Sequence, residues 1–484
     1  MRSSLVAFGA AALLVAATVP VTHTQEARRY GGGERNPQPP KATLAIVGGM
    51  LIDGHEGPPV HHAVILIDGN AIVAVGTRDT LKVPPGTKVL DAAGMTVMPG
   101  LIDTHVHLDT IGHTDYQYWH RTYRSRIRDI YQVSATGMLQ YGVTTALDLG
   151  AYADDVAAFK KKADSGEVAS PRIKITGGFI TNLSDEYIKG WHRGYQTANA
   201  TNAEEARAAA LKWIGYKVDV LKAYTGLDRE QVKAITEEAH KRGLWVTGHA
   251  EGPENAIARI EAGQDAIEHL GGFSRGGRVP QEVIDAMLKY RTVVIPTLVT
   301  SAAQLDAVQW PEFWSDNQRA KSTMPPDIWA DVRRSLEHPE RVLTNFGGYV
   351  RWKSADDGEA TFKQLRAAGV TMLVGTDAST PLNFKTDAMW REMDLMVRYG
   401  VPPMEVLATA TRRNADYMKM GNLVGTITRG KLADIIVIDG NPLISMRDLR
   451  NVVAVVKDGR VYKGTTTTAP VPTSTEQAGG QPQE

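Results

Sequence analysis

Short apolar runs that end in polar or charged residues recur along the middle of this chain, with helix-like stretches between them. They are Val97–Asp109, Gly142–Asp148, Arg172–Thr176, Val218–Tyr224, Leu244–Ala250, Ala266–Leu270, Thr292–Leu298 and Thr371–Asp377. The intervening stretches, such as Arg229–His240 and Glu254–Glu261, repeat their apolar positions with the period of an amphipathic helix. Strands that alternate with helices predict parallel β-α units, and eight such units predict an α/β fold closed into a (β/α)8 TIM barrel.

The flanks follow a different rhythm. Thr43–Val47, His62–Asp68 and Ala71–Val75 near the beginning, and Ala433–Asp439 and Val452–Val461 near the end, are short strands with turn residues between them. A barrel has no use for them, so they are expected to pair with each other as a small β-sandwich domain formed by both termini. The expected layout is a sandwich from 42–98 and 419–463, with the barrel at 99–418 inserted into it. A chain of 484 residues suits two such domains better than one core. Residues from about 300 to 370 exceed a normal strand connection and carry Trp310, Trp314, Trp329 and Trp352. They are read as a helical insertion that covers the site, with a contact in a homo-oligomer as the alternative.

At the extreme ends, Met1–Ser4 contains one arginine and precedes the apolar run Leu5–Val19. This fits a secretory signal peptide over 1–26, since a membrane span would need about 20 apolar residues. Residues 27–41 are Gly/Pro-rich and read as a flexible linker; residues 464–484 are polar and read as a disordered tail. The expected location is therefore outside the cytoplasm, periplasmic or secreted, with no stable membrane insertion once the signal is removed. The chain has no cysteine, which excludes disulfides, thiolate metal ligands and a lipidated-cysteine anchor. Lysines and arginines number 54 and so do the acidic residues. This balance gives no electrostatic reason for a nucleic-acid or anionic-membrane partner and leaves a small-molecule substrate as the default.

Chemistry enters with His105-Val-His107. Side chains alternate along a strand, so the two imidazoles share a face and can grip one metal ion. In a (β/α)8 barrel the chemistry sits at the carboxyl ends of the strands. There the runs above place His105 and His107, then Lys222, His249, His269 and Asp377. In this order, and with the Pro99-Gly-Leu-Ile-Asp-Thr-His105 lead-in and the Gly375-Thr-Asp377 ending, the chain resembles the amidohydrolase superfamily. It is most similar to the imidazolonepropionase-like branch with its Xaa-Pro dipeptidases (prolidase type) and N-acyl amino-acid hydrolases. The resemblance covers roughly residues 42 to 463.

That resemblance implies two divalent metal ions. His105, His107 and Asp377 would hold the more buried one, His249 and His269 the other, and a carbamate on Lys222 would bridge them. Zinc is the default metal, with manganese, cobalt or iron as alternatives. The implied reaction is hydrolysis of an amide bond (dipeptide, Xaa-Pro or N-acyl amino acid) by a metal-bridging hydroxide, with Asp377 as the catalytic proton carrier. The same site serves cyclic amides, lactones or phosphotriesters, and a non-catalytic binding protein on this scaffold is the alternative of another class. Lys222 reaching solvent or pairing with Asp219 is the plain alternative to the carbamate. Tyr224, on the same strand face as Lys222, is a candidate substrate-binding residue, with a packed rim tyrosine as the alternative. His192 and Arg275, on loops after the strands, are further candidates, with ordinary loop packing as the alternative; an arginine fork would suit a substrate carboxylate.

Overall fold

The computed structural model describes residues 40–186, 188, 197–309, 317–337 and 354–469. The expected signal peptide and nearly all of the linker lie outside the described residues, as do Trp310, Trp314, Trp352, His192 and the tail from residue 470. None of the described helices is long and apolar enough to cross a membrane.

The N-terminal and C-terminal parts of the described residues share two five-stranded sheets. In one, Leu44–Val47 runs antiparallel to Ala63–Asp68 and parallel to Lys88–Asp91, and Ala71–Thr77 flanks Ala63–Asp68. In the other, Thr96–Pro99 from the N-terminal part pairs antiparallel with Ile435–Ile438 from the C-terminal part, which pairs with Val452–Lys457. Thr467–Thr468 adds an edge strand against Lys88–Asp91, and Ala469 N–H donates to Thr87 O at 2.8 Å. Regular structure thus runs past 463, into the segment read as tail, because β-branched threonines find an open sheet edge.

Between these halves lies the barrel. Leu101–Val106, Val143–Asp148 and Arg172–Ile175 are hydrogen-bonded in parallel. The third strand breaks at 176–178 and resumes as Phe179–Thr181, which pairs with Val220–Ala223. Trp245–Gly248, Ala266–Glu268 and Val293–Ile295 follow, each parallel to the last. Residues 371–378 close the circle with two isolated parallel bridges, Val294 to Met372 on one side and Val106 to Ala378 on the other. The fold is a TIM barrel carrying a small β-sandwich.

The outer helices start where local chemistry says they should. Asp228 caps Arg229–His240 through a reciprocal capping box with Gln231, and Pro253 opens Pro253–Glu261. The first of these buries Val232, Ala234, Ile235 and Ala239 against the barrel. Within the insertion, Pro326–Leu336 buries Ile328, Trp329, Val332 and Leu336. Ser335 hydrogen-bonds Thr114, and Asp331 accepts from the Tyr123 hydroxyl at 2.9 Å. This helix therefore packs on the segment that follows the first strand, on the face where the strands that carry His105, Lys222, His249 and His269 end.

Barrel and sandwich are pinned together by charge. Arg172 of the third strand donates to Asp434, 2.7 Å away and 2% exposed, and to Asp458. Replacing Arg172 by Met strands a buried carboxylate, and is expected to lower the stability of the chain by about 3 kcal/mol, measured as a shift of the urea midpoint. An unchanged midpoint would show that the pair contributes nothing to holding the two parts together.

Candidate active site

The first barrel strand, Leu101–Val106, is buried throughout, so the two histidines at its end are delivered into the barrel mouth by a rigid element. His105 Nδ1–H donates to Glu268 Oε2 at 2.7 Å, and His107 Nδ1–H donates to the Gly150 carbonyl at 3.1 Å. With Nδ1 occupied, each ring turns its Nε2 inward, and both Nε2 atoms lie 3.3 Å from the same oxygen, Asp377 Oδ1. His269 comes from the end of the sixth strand, with Nδ1 hydrogen-bonded to the Thr297 hydroxyl at 2.6 Å. One ligand atom each from His105, His269 and Asp377 falls within 4.8 Å of the others, a spacing that one cation can span. His249, at the end of the fifth strand, has its Nδ1 3.3 Å from the Thr225 hydroxyl.

The rings form an arc around the mouth. Centroid separations are 5.4 Å from His107 to His105, 5.2 Å from His105 to His269 and 5.0 Å from His269 to His249. The arc continues to Tyr224, 4.5 Å from His249, whose ring lies 4.4 Å from Phe179 and nearly parallel to it. Lys222 sits on the fourth strand, 1% exposed, and its Nζ has no hydrogen-bond partner. Gly248 lets the fifth strand come this close to the fourth, since a Cβ there would stand 1.8 Å from the Ala223 carbonyl oxygen.

Electrostatics make these groups donors of lone pairs. Burial pushes the Lys222 ammonium down, against the pull of Glu268 and Asp377. Burial also lowers His249 well below the ordinary imidazole range and His269 to about 4. His105 is the exception: burial works against its charge, but Glu268 and Asp377 raise it to about 9. Burial likewise opposes the charge on Asp377, yet His105, His107 and His269 hold its carboxyl well below the usual range. Nothing buried this deeply carries charge cheaply unless it is paired, and a bound cation would pair with Asp377 in place of the His105 proton.

Of the residues expected at the site, the strand ends bring His105, His107, His269 and Asp377 together, with His249, Lys222 and Tyr224 beside them. Asp219 does not pair with Lys222; it accepts from Lys174 at 3.4 Å and from the Ile175 amide at 3.0 Å. Arg275 is turned to solvent in an ion pair with Glu254 at 2.7 Å, both side chains more than two-thirds exposed, and the structure does not bring it to the cluster. Two residues given no role from the sequence are built into the centre. Glu268 orients His105 and takes the Thr247 hydroxyl on its other oxygen. Asp103 receives the amides of His105 and Thr376 and the Thr376 hydroxyl. Their signal was a carboxylate inside an otherwise apolar strand, which requires a buried partner.

Glu268→Gln keeps the volume but removes the charge that fixes the His105 ring. Retention of a divalent metal against a chelator is expected to weaken by about 10- to 100-fold with unchanged circular dichroism. Metal analysis after graded chelation measures this, and equal retention would remove Glu268 from the centre.

Comparison with known proteins agrees with this fold. Ochratoxinase from Aspergillus niger is 23% identical over 469 residues, covering 88% of this chain and 87% of its own. Imidazolonepropionase from Streptomyces griseus subsp. griseus is 25% identical over 404 residues, covering 78% of this chain and 86% of its own. A crystal structure of a Xaa-Pro dipeptidase with methionine bound in its active site superposes with a TM-score of 0.68 at 26% identity, over 87% of this chain and 100% of that one. Residues 96–465 match the model of the amidohydrolase family, and the chain belongs to that family.

Proposed function

We propose that this protein is a binuclear metal-dependent amidohydrolase that cleaves the amide bond of a dipeptide, of the Xaa-Pro type, or of an N-acyl amino acid. The observation that carries the reading is the convergence of His105 Nε2 and His107 Nε2 on Asp377 Oδ1, with His269 alongside. Lys222 supports the second metal. Its Nζ is a buried donor with nothing to donate to, and carboxylation would turn it into an anion able to meet cations on both sides. The donor set therefore fits two divalent metals, zinc by default: His105, His107 and Asp377 would hold one, His249 and His269 the other, and a carboxylated Lys222 would serve both. When bound, the metals supply Lewis acidity toward the scissile carbonyl and lower the pKa of water.

The rest is the work of the chain's own groups. Asp377 takes the proton of the attacking water and passes it to the leaving nitrogen, a transfer its position between two histidines allows with little motion. The phenol of Tyr224, fixed between Phe179 and His249, donates a hydrogen bond to the substrate carbonyl or carboxylate. One similar structure supports the dipeptide reading: it is a Xaa-Pro dipeptidase with methionine bound in its active site. Export to the periplasm or the medium is part of this proposal and rests on the apolar run Leu5–Val19.

Metal content and hydrolysis of a panel of Xaa-Pro dipeptides, N-acyl amino acids, cyclic amides and lactones test the reading. Asp377→Ala is expected to lose at least about 10³-fold in turnover with the fold intact. Lys222→Ala should lose turnover in parallel with its metals and regain both with added short carboxylic acids. One metal or none in the wild type, with turnover on cyclic amides or lactones alone, would overturn the proposal. Tyr224→Phe should cost about 10- to 100-fold in kcat/KM, the worth of one hydrogen bond to a charged or polarised oxygen; an unchanged kcat/KM would return Tyr224 to rim packing.

A further inference from the structure

Behind the ligand-bearing strands lies a second buried polar cluster. Arg259, on helix Pro253–Glu261, is 0% exposed. Its Nη1 donates to the carbonyls of Ala223 at 3.1 Å and Tyr224 at 2.9 Å, and to Gln264 Oε1 at 3.4 Å; its Nη2 donates to Leu227 O at 3.4 Å. Gln264 extends the reach, donating to the carbonyls of His249 at 3.4 Å and Ala266 at 2.9 Å. Two side chains thus brace the strand ends that carry Lys222 and His249, and Gln264 also holds the start of the strand that leads to His269.

The charge of Arg259 is poorly answered by its surroundings. Carbonyl oxygens orient a guanidinium but do not neutralise it. Glu251 is 3.8 Å away and about one-third exposed, and both of its oxygens already accept the Gly226 amide. Keeping a guanidinium fully buried with its carboxylate partner 3.8 Å away and partly exposed is expensive, and the cost falls if a second anion forms nearby. Arg259 holds the carbonyl of the residue next to Lys222, and its field reaches both Lys222 and His249.

We propose that Arg259 is a positioning residue with two tasks: it braces the strand end beside Lys222 directly and the backbone of His249 through Gln264, and it supplies the buried positive charge that balances a carboxylated Lys222. In that reaction the Lys222 nitrogen attacks the carbon of carbon dioxide. An N–C bond forms, one C=O electron pair moves to oxygen, and a proton leaves to solvent, so a neutral amine becomes an anion with no change of oxidation state. The inference rests on the reading of Lys222 in the proposed function.

The test uses the full chain loaded with zinc in ¹³C-labelled bicarbonate, with the labelled carbamate carbonyl read by NMR and zinc counted per chain after dialysis. The wild type is expected to show both metals and a labelled signal that Lys222→Ala lacks. Arg259→Gln should need about tenfold more bicarbonate to reach the same signal and should lose the metal at His249 and His269 first. Arg259→Lys, which keeps the charge, should retain most of the signal. A folded Arg259→Gln with wild-type signal and metal content overturns the inference. If Arg259→Gln does not fold, Arg259→Lys decides: loss of the signal in the folded variant overturns the charge role, and retention supports it. A wild type without a labelled signal, matched in metal content by Lys222→Ala, sinks the carbamate reading itself and this inference with it.

Discussion

The site depends on the seam where the eighth barrel strand meets the first. No continuous ladder closes the barrel there; residues 371–378 meet their neighbours through isolated bridges and a few amide contacts. What holds the seam is the buried carboxylate of Asp103. One oxygen accepts the His105 amide at 3.1 Å and the Thr376 amide at 3.0 Å, and the other accepts the Thr376 hydroxyl at 2.6 Å. Burial works against this charge and lifts the carboxyl to about 6, while Thr376 and the amides pull it down. Asn414 repeats the device one layer deeper, donating to the carbonyls of Ile102 and Val374, each at 2.7 Å. Through these contacts the backbone of His105 and the residue before Asp377 are fixed to each other, and the 3.3 Å approach of the imidazoles to the Asp377 carboxylate follows.

Around the seam, each histidine is oriented by a group from another part of the barrel: a carboxylate for His105, a carbonyl for His107, and hydroxyls for His249 and His269. Anchoring Nδ1 leaves Nε2 to face the mouth, so the ring orientations are set before any ligand arrives. The same economy governs charge. Asp377 and Glu268 are the anions of the centre, His105 lies between them, and His249, His269 and Lys222 are pressed by burial toward their neutral forms. His249, His269 and Lys222 are thus pressed toward forms that present a lone pair, while His105 keeps a proton that a cation would displace.

How much of this was legible in the sequence follows from what periodicity can and cannot report. The strand ends could be read because apolar runs stop abruptly at His107, Lys222, His249, His269 and Asp377, and helix Arg229–His240 could be bounded because Asp228 and Gln231 announce its start. Glu268, Asp103 and Arg259 could not be assigned. Each makes its contacts with residues distant in the chain, and a charged residue in an apolar run shows that a partner must exist without naming it. The eighth strand reads as a strand from Thr371 to Asp377, yet its pairing is broken, because Asp103 and Asn414 take over part of the ladder's work. Arg275 shows the limit from the other side: an arginine on a mouth loop suits a substrate carboxylate, but its exposed pairing with Glu254 at 2.7 Å could not be read from the spacing.

The strand ends also show how the barrel turns a regular scaffold into a converging site. His269, Thr297 and Asp377, at the ends of the sixth, seventh and eighth strands, all have positive φ, at 66°, 46° and 54°. Such a backbone costs a side chain other than glycine about 1–3 kcal/mol at each position. A strand that continued straight would carry alternate side chains to opposite faces; the left-handed turn instead ends the strand at the residue whose side chain belongs in the mouth. The strain is held in place by the contacts that make the site: Thr297 by its hydrogen bond to His269, and Asp377 by its amide on the His105 carbonyl at 2.7 Å and its carboxylate between two imidazoles. Removing one of these imidazoles therefore also removes one of the contacts that keep a neighbour's backbone bent, which couples the positions at the mouth to one another.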